Sequence, residues 1–191
     1  LTLANVTGGG SNDITLAGVE TLTLTAAGSS SDVDLVATSL KTITISGTGD
    51  LTILEIDANH ATDSLTSINA ASMSGDFTVT TGNQDTTSAV DLTVTGGSGA
   101  DTIYVSSHTT SNVSITGGAG NDTITVALAA ADTVAGGDGT DTLSTSTAVA
   151  TGNVTGIEAL TITGKVTQDM DGLDGNTITS VTFTSAGTSG V

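Results

Sequence analysis

Three nonapeptides decide the predicted fold: residues 96–104 (GGSGADTIY), residues 117–125 (GGAGNDTIT) and residues 136–144 (GGDGTDTLS). All three fit the pattern G-G-x-G-x-D-x-U-x, in which U is a large aliphatic residue, with no substitution at a fixed position. The glycine-rich half suits tight turns, because glycine tolerates backbone conformations that strain other residues. The last three residues are typical of a short β-strand whose U side chain points inward. The motif therefore predicts turns and short strands in regular alternation.

The spacing of the motifs predicts a coil. Their first residues are 21 and 19 positions apart, and two turn–strand units of about nine residues each make one coil of a flattened spiral. The second strand of each coil is predicted at residues 112–115 and 131–134. The three motifs then lie on one edge, one above another. The predicted fold is all-β: a parallel β-solenoid, of the β-roll or right-handed β-helix type.

Coiling places the motif aspartates, Asp101, Asp122 and Asp141, in a column. Stacked strands lie about 4.7–4.9 Å apart, and bare carboxylates at that separation repel each other. Calcium takes six or more oxygen ligands at about 2.3–2.6 Å, so one ion fits between successive coils, with backbone carbonyls of the glycine turns completing its ligands. We predict two such sites, between the first and second motif turns and between the second and third. Asp138 is an additional carboxylate in the third turn. The alternative for the whole stretch is a series of glycine–aspartate turns that bind no metal.

The composition limits the partners. The chain has 191 residues, which favours one domain, and 20 acidic residues against two basic ones give a net charge of −18. This charge disfavours nucleic acid and anionic membrane surfaces and favours cations; for the charges outside the motifs, an acidic surface that only aids solubility is the alternative. There is no Cys and no Pro, so calcium can replace disulfides as the staple of a secreted protein. No apolar run is long enough to insert into a membrane.

The flanks repeat the strand signal every 8–12 residues. Thr alternates with aliphatic residues in the predicted strands, at residues 1–3, 13–16, 21–25, 41–45, 51–54, 77–80, 92–95 and 181–184. Residues 55–75 are less regular and are predicted to form a loop or a short helical turn. Residues 153–163 echo residues 14–24 through the shared pattern Gly-[Ile/Val]-Glu-x-Leu-Thr-[Ile/Leu]-Thr. We therefore expect one solenoid over residues 1–191, with residues 96–145 as its calcium-binding core.

Two further segments are weaker candidates for cation binding. Residues 8–13 resemble a degenerate calcium turn, with Ser11 in place of the third glycine. Residues 169–176 contain three aspartates and look like the start of an EF-hand loop, but Ser180 stands where that loop needs a bidentate Glu. The same segment also fits a worn calcium turn, with Asn176 in the aspartate position.

The nonapeptides, the absence of Cys, the Thr/Gly/Ala/Asp bias and the Gly-Val-Glu-x-Leu coils together resemble bacterial surface-layer proteins of the RTX type, such as those of Caulobacter and Campylobacter. The resemblance implies a β-solenoid, type I secretion, an extracellular location on the bacterial cell surface, and calcium-driven self-assembly into a lattice. We expect an internal or C-terminal-region fragment of a longer protein. Carried over to the motif positions, the implied calcium ligands are side chains and backbone carbonyls of Gly96, Ser98, Asp101, Gly117, Gly118, Ala119, Gly120, Asp122, Gly137, Gly139 and Asp141.

The predicted function is structural, as part of such a layer. The alternatives are a calcium-binding segment of an RTX adhesin and an RTX domain of another type I secreted protein, such as a protease or lipase. The sequence contains no H-E-x-x-H or G-x-S-x-G motif, and His60 and His108 lack the spacing of metal ligands or a catalytic triad, so no enzymatic activity is predicted. Ice binding through Thr-x-Thr rows is a further alternative, although Thr is also a favoured residue on the solvated face of a strand.

Overall fold

The structure, a computed structural model, describes residues 1–6, 13–37, 39–57, 65–81, 90–105, 111–149, 153–164, 166–168, 173 and 176–184. Over these residues the chain forms a parallel β-solenoid of about 7 turns, which confirms the predicted fold class. The strands are β1 (Thr2–Ala4), β2 (Asp13–Thr15), β3 (Thr21–Ala27), β4 (Ser30–Val36), β5 (Thr42–Gly47), β6 (Asp50–Asp57), β7 (Ser67–Met73), β8 (Phe77–Thr81), β9 (Leu92–Thr95), β10 (Thr102–Val105), β11 (Val113–Ala119), β12 (Thr123–Val126), β13 (Thr133–Asp138), β14 (Thr142–Thr145), β15 (Val154–Thr155), β16 (Ala159–Thr163) and β17 (Ser180–Thr184).

The strands divide into two sheets. The first sheet contains the odd-numbered strands from β1 to β15, and the second contains the even-numbered strands from β2 to β16 followed by β17. Up to β16, each described coil thus contributes one strand to each sheet, and neighbouring strands pair in parallel. The coil length varies: 26 residues separate Asp50 from Asp76, but 19 separate Asp122 from Asp141.

The core consists of aliphatic side chains stacked coil upon coil. In the second sheet the U residues of the three motifs, Ile103, Ile124 and Leu143, are in register and have no exposed surface. This confirms that the U position points inward. Fully burying one such side chain contributes about 1.5–3 kcal/mol to stability. Each coil adds only one strand per sheet to the core, so small aliphatic residues are enough to fill the space between the sheets. Phe77 is the largest fully buried side chain among the described residues.

Two strands differ from the sequence prediction. The prediction of a loop or helical turn for residues 55–75 is wrong over β7, which pairs with β5 in the first sheet. A register shift opposite Thr44 and Ser46 breaks the alternation of buried and exposed residues in β7, and this irregularity hid the strand. Strand β4 was not predicted, because Asp32 and Asp34 on its outer face resemble turn residues.

The two echoing segments adopt the same local structure on opposite sheets. Residues 14–24 lead into β3 of the first sheet, and residues 153–163 end with β16 of the second. The carbonyl of Glu20 accepts hydrogen bonds from two successive amides of the next coil, at 2.8 and 3.1 Å. The carbonyl of Glu158 does the same, at 2.8 and 3.2 Å. In both copies of the repeat, the Glu therefore stands just before a strand, and its carbonyl fixes the start of the strand in the next coil.

Candidate metal centre

The three motif aspartates lie in one buried column. Asp101, Asp122 and Asp141 immediately precede β10, β12 and β14, and the parallel register of these strands stacks them. Their side chains are 1%, 1% and 0% exposed. In the two preceding coils the same position is held by Leu51 and Phe77, which are fully buried. The motif coils thus place carboxylates where their neighbours have apolar core.

One oxygen of each carboxylate binds the coil before it. Asp101 Oδ1 accepts a hydrogen bond from the amide of Phe77 at 2.9 Å, and Asp122 Oδ1 accepts one from the amide of Asp101 at 2.8 Å. Asp141 Oδ1 accepts one from the amide of Asp122 at 2.8 Å. Hydrogen bonds to an ionised acceptor are stronger than those between neutral groups. This ladder therefore holds neighbouring coils in register.

The second oxygens are treated differently. Asp101 Oδ2 accepts a hydrogen bond from the amide of Gly97 at 2.5 Å. Asp122 Oδ2 and Asp141 Oδ2 are buried and, among the residues that the structure describes, have no hydrogen-bond donor. Leaving a buried acceptor unsatisfied costs about 1–3 kcal/mol, and more when it is charged. These two oxygens require a partner that the described residues do not supply.

The pKa values of the three carboxyl groups in the column are raised. Removal from water raises the pKa of Asp122 to about 6, to which the charges of Asp101 and Asp141 contribute. Burial likewise raises the pKa values of Asp101 and Asp141. The like charges of Glu158 and Asp138 raise the pKa of Asp141 further. Desolvation disfavours the ionised carboxylate. Near neutral pH the column therefore carries buried negative charge that destabilises the fold unless a cation offsets it.

A carbonyl oxygen from the next coil lies near the second carboxylate oxygen of Asp101 and of Asp122. A Cβ built on Gly117 would collide with Asp122 Oδ2 and with the carbonyl of Gly136. Gly96 is crowded in the same way by Asp101 Oδ2 and the carbonyl of Gly117. The first glycine of the motif is thus required because two oxygens converge where a side chain would stand.

This donor set fits the predicted ion. The groups that converge are carboxylate and carbonyl oxygens, which are the ligands that Ca²⁺ takes. Among the described residues no group of three or more His, Cys, Asp or Glu side chains could hold a metal ion. A cation in this column would therefore depend on one or two carboxylates together with backbone carbonyls, as the sequence predicts.

The remaining predicted ligands lie along the same edge, but the turn is shorter than expected. Strand β11 runs into the second motif, and Gly118 and Ala119 pair with Gly137 and Asp138 of β13. The backbone φ angles of Gly118 and Gly137 are 126° and 119°, which only glycine adopts without strain. In the second and third motifs, extended pairing therefore continues through the first three motif positions, because glycine lets the coils approach closely.

Ser98, Gly120 and Gly139 complete the predicted set. The amide of Ser98 donates to the carbonyl of Met73 at 3.0 Å, and its hydroxyl lies 3.3 Å from the same oxygen. A Cβ on Gly120 would meet the carbonyl of Gly99, and one on Gly139 would meet that of Gly120. These residues thus contact the preceding coil and set the spacing of the turns.

Two buried or half-buried carboxylates outside the predicted set take part in the edges of the solenoid. Glu158 extends the column, since its Oε2 accepts a hydrogen bond from the amide of Asp141 at 2.8 Å. Asp132 lies at the opposite edge, where its oxygens accept hydrogen bonds from the amides of Val113 and Ala129 at 2.8 and 2.6 Å. The Gly-Ile-Glu repeat was the available signal for Glu158, whereas no motif marks Asp132.

The weaker cation candidates fall largely outside the described residues, as do His60 and His108. Within residues 8–13 only Asp13 is described, and only as backbone; within residues 169–176 Leu173 and Asn176 are described. Asn176 Oδ1 accepts a hydrogen bond from the amide of Ile157 at 2.9 Å, and its Nδ2 donates to the carbonyl of Val154 at 2.8 Å. The side chain therefore links this segment to the coil before it, and cation binding by either segment stays a prediction.

Comparisons with protein-family models, with curated proteins and with solved structures found no significant match to this chain. In the part of the chain that the structure describes, no helix is long and apolar enough to span a bilayer.

Proposed function

We propose that this chain is a calcium-stabilised structural segment of a bacterial surface layer, which folds and self-assembles outside the cell. The observation that carries the calcium part is the pair of buried carboxylate oxygens, on Asp122 and Asp141, that have no donor within the described residues. The ions would be held by the carboxylates of Asp101, Asp122 and Asp141 and by carbonyls of the glycine turns. The surface-layer part rests on the resemblance of the motifs and composition.

Charge neutralisation coupled to folding is the proposed mechanism. Without metal, the buried carboxylates oppose the stacking of the motif coils. With metal, the free energy of ion binding becomes free energy of folding. Extracellular calcium modules bind with dissociation constants of roughly 10⁻⁴ to 10⁻³ M. The coils would therefore order in the extracellular medium and remain loose at the low calcium concentration inside the cell.

The outer faces of the two sheets support the assembly part of the proposal. Hydroxyl side chains follow one another across each sheet in register. Rows of uncharged polar residues can pack against a neighbouring solenoid without burying charge, which is costly when unpaired. These rows comprise Thr21, Thr42, Ser67, Thr93 and Ser114 on the first sheet, and Thr78, Thr102, Thr123 and Thr142 on the second.

A calcium titration followed by circular dichroism and by light scattering tests both parts, with magnesium as the control ion. We expect calcium at millimolar concentration to induce β structure and then larger particles, and magnesium to do so weakly, because it demands a smaller, near-octahedral site. β structure without assembly would favour the adhesin or appended-domain alternatives. β structure that is complete in chelator and unchanged by calcium would contradict the calcium part.

A further inference from the structure

A third pair of converging oxygens lies one coil beyond the motif turns, between the last motif coil and the coil that follows it. A Cβ built on Gly136 would collide with the carbonyl of Gly156 and lie 2.5 Å from Asp141 Oδ2. The same arrangement occurs at Gly96 and Gly117, between coils that both carry the motif. Here the second coil, which contains Gly156, carries no nonapeptide. The structure thus repeats the oxygen geometry where the motif has ended.

Asp141 Oδ2 is the atom that indicates a bound ligand between these two coils. The Asp141 side chain is 0% exposed, and its Oδ2 has no donor among the described residues. Its other oxygen is occupied by the amide of Asp122. A buried carboxylate oxygen without a donor, next to a carbonyl oxygen, repels that carbonyl unless a cation lies between them.

Glu158 supplies a second carboxylate from the coil without a motif. Thr142 pairs with Ala159, so Glu158 lies in register with Asp141. Glu158 Oε2 accepts the amide hydrogen of Asp141 at 2.8 Å, as Asp141 Oδ1 accepts that of Asp122. The half-buried Glu158 therefore continues the carboxylate column, with a side chain one methylene longer.

We infer that Asp141, Glu158 and the carbonyl of Gly156 hold a third calcium ion, which joins the last motif coil to the following coil. This inference rests on the proposed calcium function, and it adds one site to the two between motif turns. A role of Glu158 as a backbone cap alone explains its hydrogen bond to Asp141, but it leaves Asp141 Oδ2 without a partner among the described residues. The third ion would tie β16 to the calcium-dependent part of the solenoid.

Counting bound calcium in matched variants tests the inference. Glu158→Gln keeps an oxygen that accepts the Asp141 amide hydrogen but removes the charge. Glu20→Gln is the matched control, because Glu20 holds the equivalent position of the repeat on the other sheet, where it pairs with exposed Lys41 at 2.8 Å. We expect equilibrium dialysis with radioactive calcium to give one ion fewer per chain for Glu158→Gln than for wild type, and no change for Glu20→Gln.

Three outcomes separate the two proposals. An unchanged count in Glu158→Gln overturns the third site and leaves the calcium function intact, whereas a wild type that binds no calcium overturns both. If Glu158→Gln lacks β structure in calcium, crystals of the wild-type chain grown in calcium decide the matter. An anomalous calcium peak between Asp141 and Gly156 supports the inference, and density no heavier than water there overturns it.

Discussion

Replacing Asp122 by Asn should change the stability of the protein in opposite directions with and without calcium. In chelator the wild type buries a carboxylate whose pKa is raised from 3.8 to about 6. A shift of about two units corresponds to about 3 kcal/mol at neutral pH, since each unit is 1.36 kcal/mol. Asn keeps an oxygen that accepts the amide hydrogen of Asp101, and its Nδ2 can donate to the nearby carbonyl of Gly136. The metal-free variant should therefore be more stable than wild type, by up to about 3 kcal/mol.

In calcium the order should reverse. A site whose ion is present at 100 times its dissociation constant stabilises the fold by about 2.7 kcal/mol. Asp122 lies between the two predicted sites, so its replacement weakens both and removes about 5 kcal/mol. The balance against the gain of about 3 kcal/mol leaves the variant less stable than wild type by about 2 kcal/mol. Urea unfolding followed by circular dichroism, in EGTA and in 10 mM calcium, measures both differences.

Asp132→Asn is the control for burial. Asp132 is as buried as Asp122, but both of its oxygens accept backbone hydrogen bonds. An Asn amide there would lose one of them and face the amide of Ala129 or Val113. It should therefore destabilise the fold by about 1–3 kcal/mol in either condition. If Asp122→Asn destabilised the protein equally with and without calcium, the two aspartates would be equivalent and the reasoning would be refuted.

Three other predictions address the pH dependence, the core and the glycine contacts. Because burial raises the folded-state pKa of Asp122, the metal-free fold binds more protons than the unfolded chain and should gain stability as the pH falls from 7 to 4. The calcium-loaded fold should instead lose stability over this range, because protons displace the ion. Urea midpoints measured against pH, in EGTA and in calcium, check the two slopes. Phe77→Ala should cost about 3–5 kcal/mol with or without calcium, because it opens a cavity in a coil outside the three motifs. Equal losses in the two media would bear this out. Gly117→Ala should abolish the calcium-dependent part of the stability, since its Cβ would collide with Asp122 Oδ2. Gly18→Ala meets no atom within 4 Å but adds backbone strain at a φ of 70°, so it should lower the stability equally with and without calcium and leave the calcium response intact. Thermal unfolding across a calcium series compares the two variants, and an identical response would count against the oxygen geometry at Gly117.

The sequence predicted those parts of the fold in which a contact requires a particular type of residue. The fixed glycines mark places where coils touch, and the U positions mark the core, so the stacking of Asp101, Asp122 and Asp141 followed from their spacing. The coil length carries no such mark. It falls from 26 residues at Asp50 to 17 at Glu158, so the place of Glu158 below Asp141 could not be counted from the motif.

Irregular pairing limited the prediction elsewhere. The bulge between β5 and β7 shifts the register, and a pattern of strict alternation cannot detect a strand that contains it. The sequence also did not predict that Phe77 occupies the position of the motif aspartate in the preceding coil. Which residue takes that position depends on the register between coils. Both features are set by pairing across coils rather than by the local sequence.

The most direct measurement is an anomalous-difference map from crystals of this chain grown in millimolar calcium. The account predicts calcium peaks along the edge of the solenoid, between the coils of Asp101 and Asp122 and between those of Asp122 and Asp141. Each peak should have carboxylate and glycine carbonyl oxygens at about 2.3–2.6 Å. A well-ordered column with water alone between those coils, or with the three carboxylates turned away from one another, would contradict it.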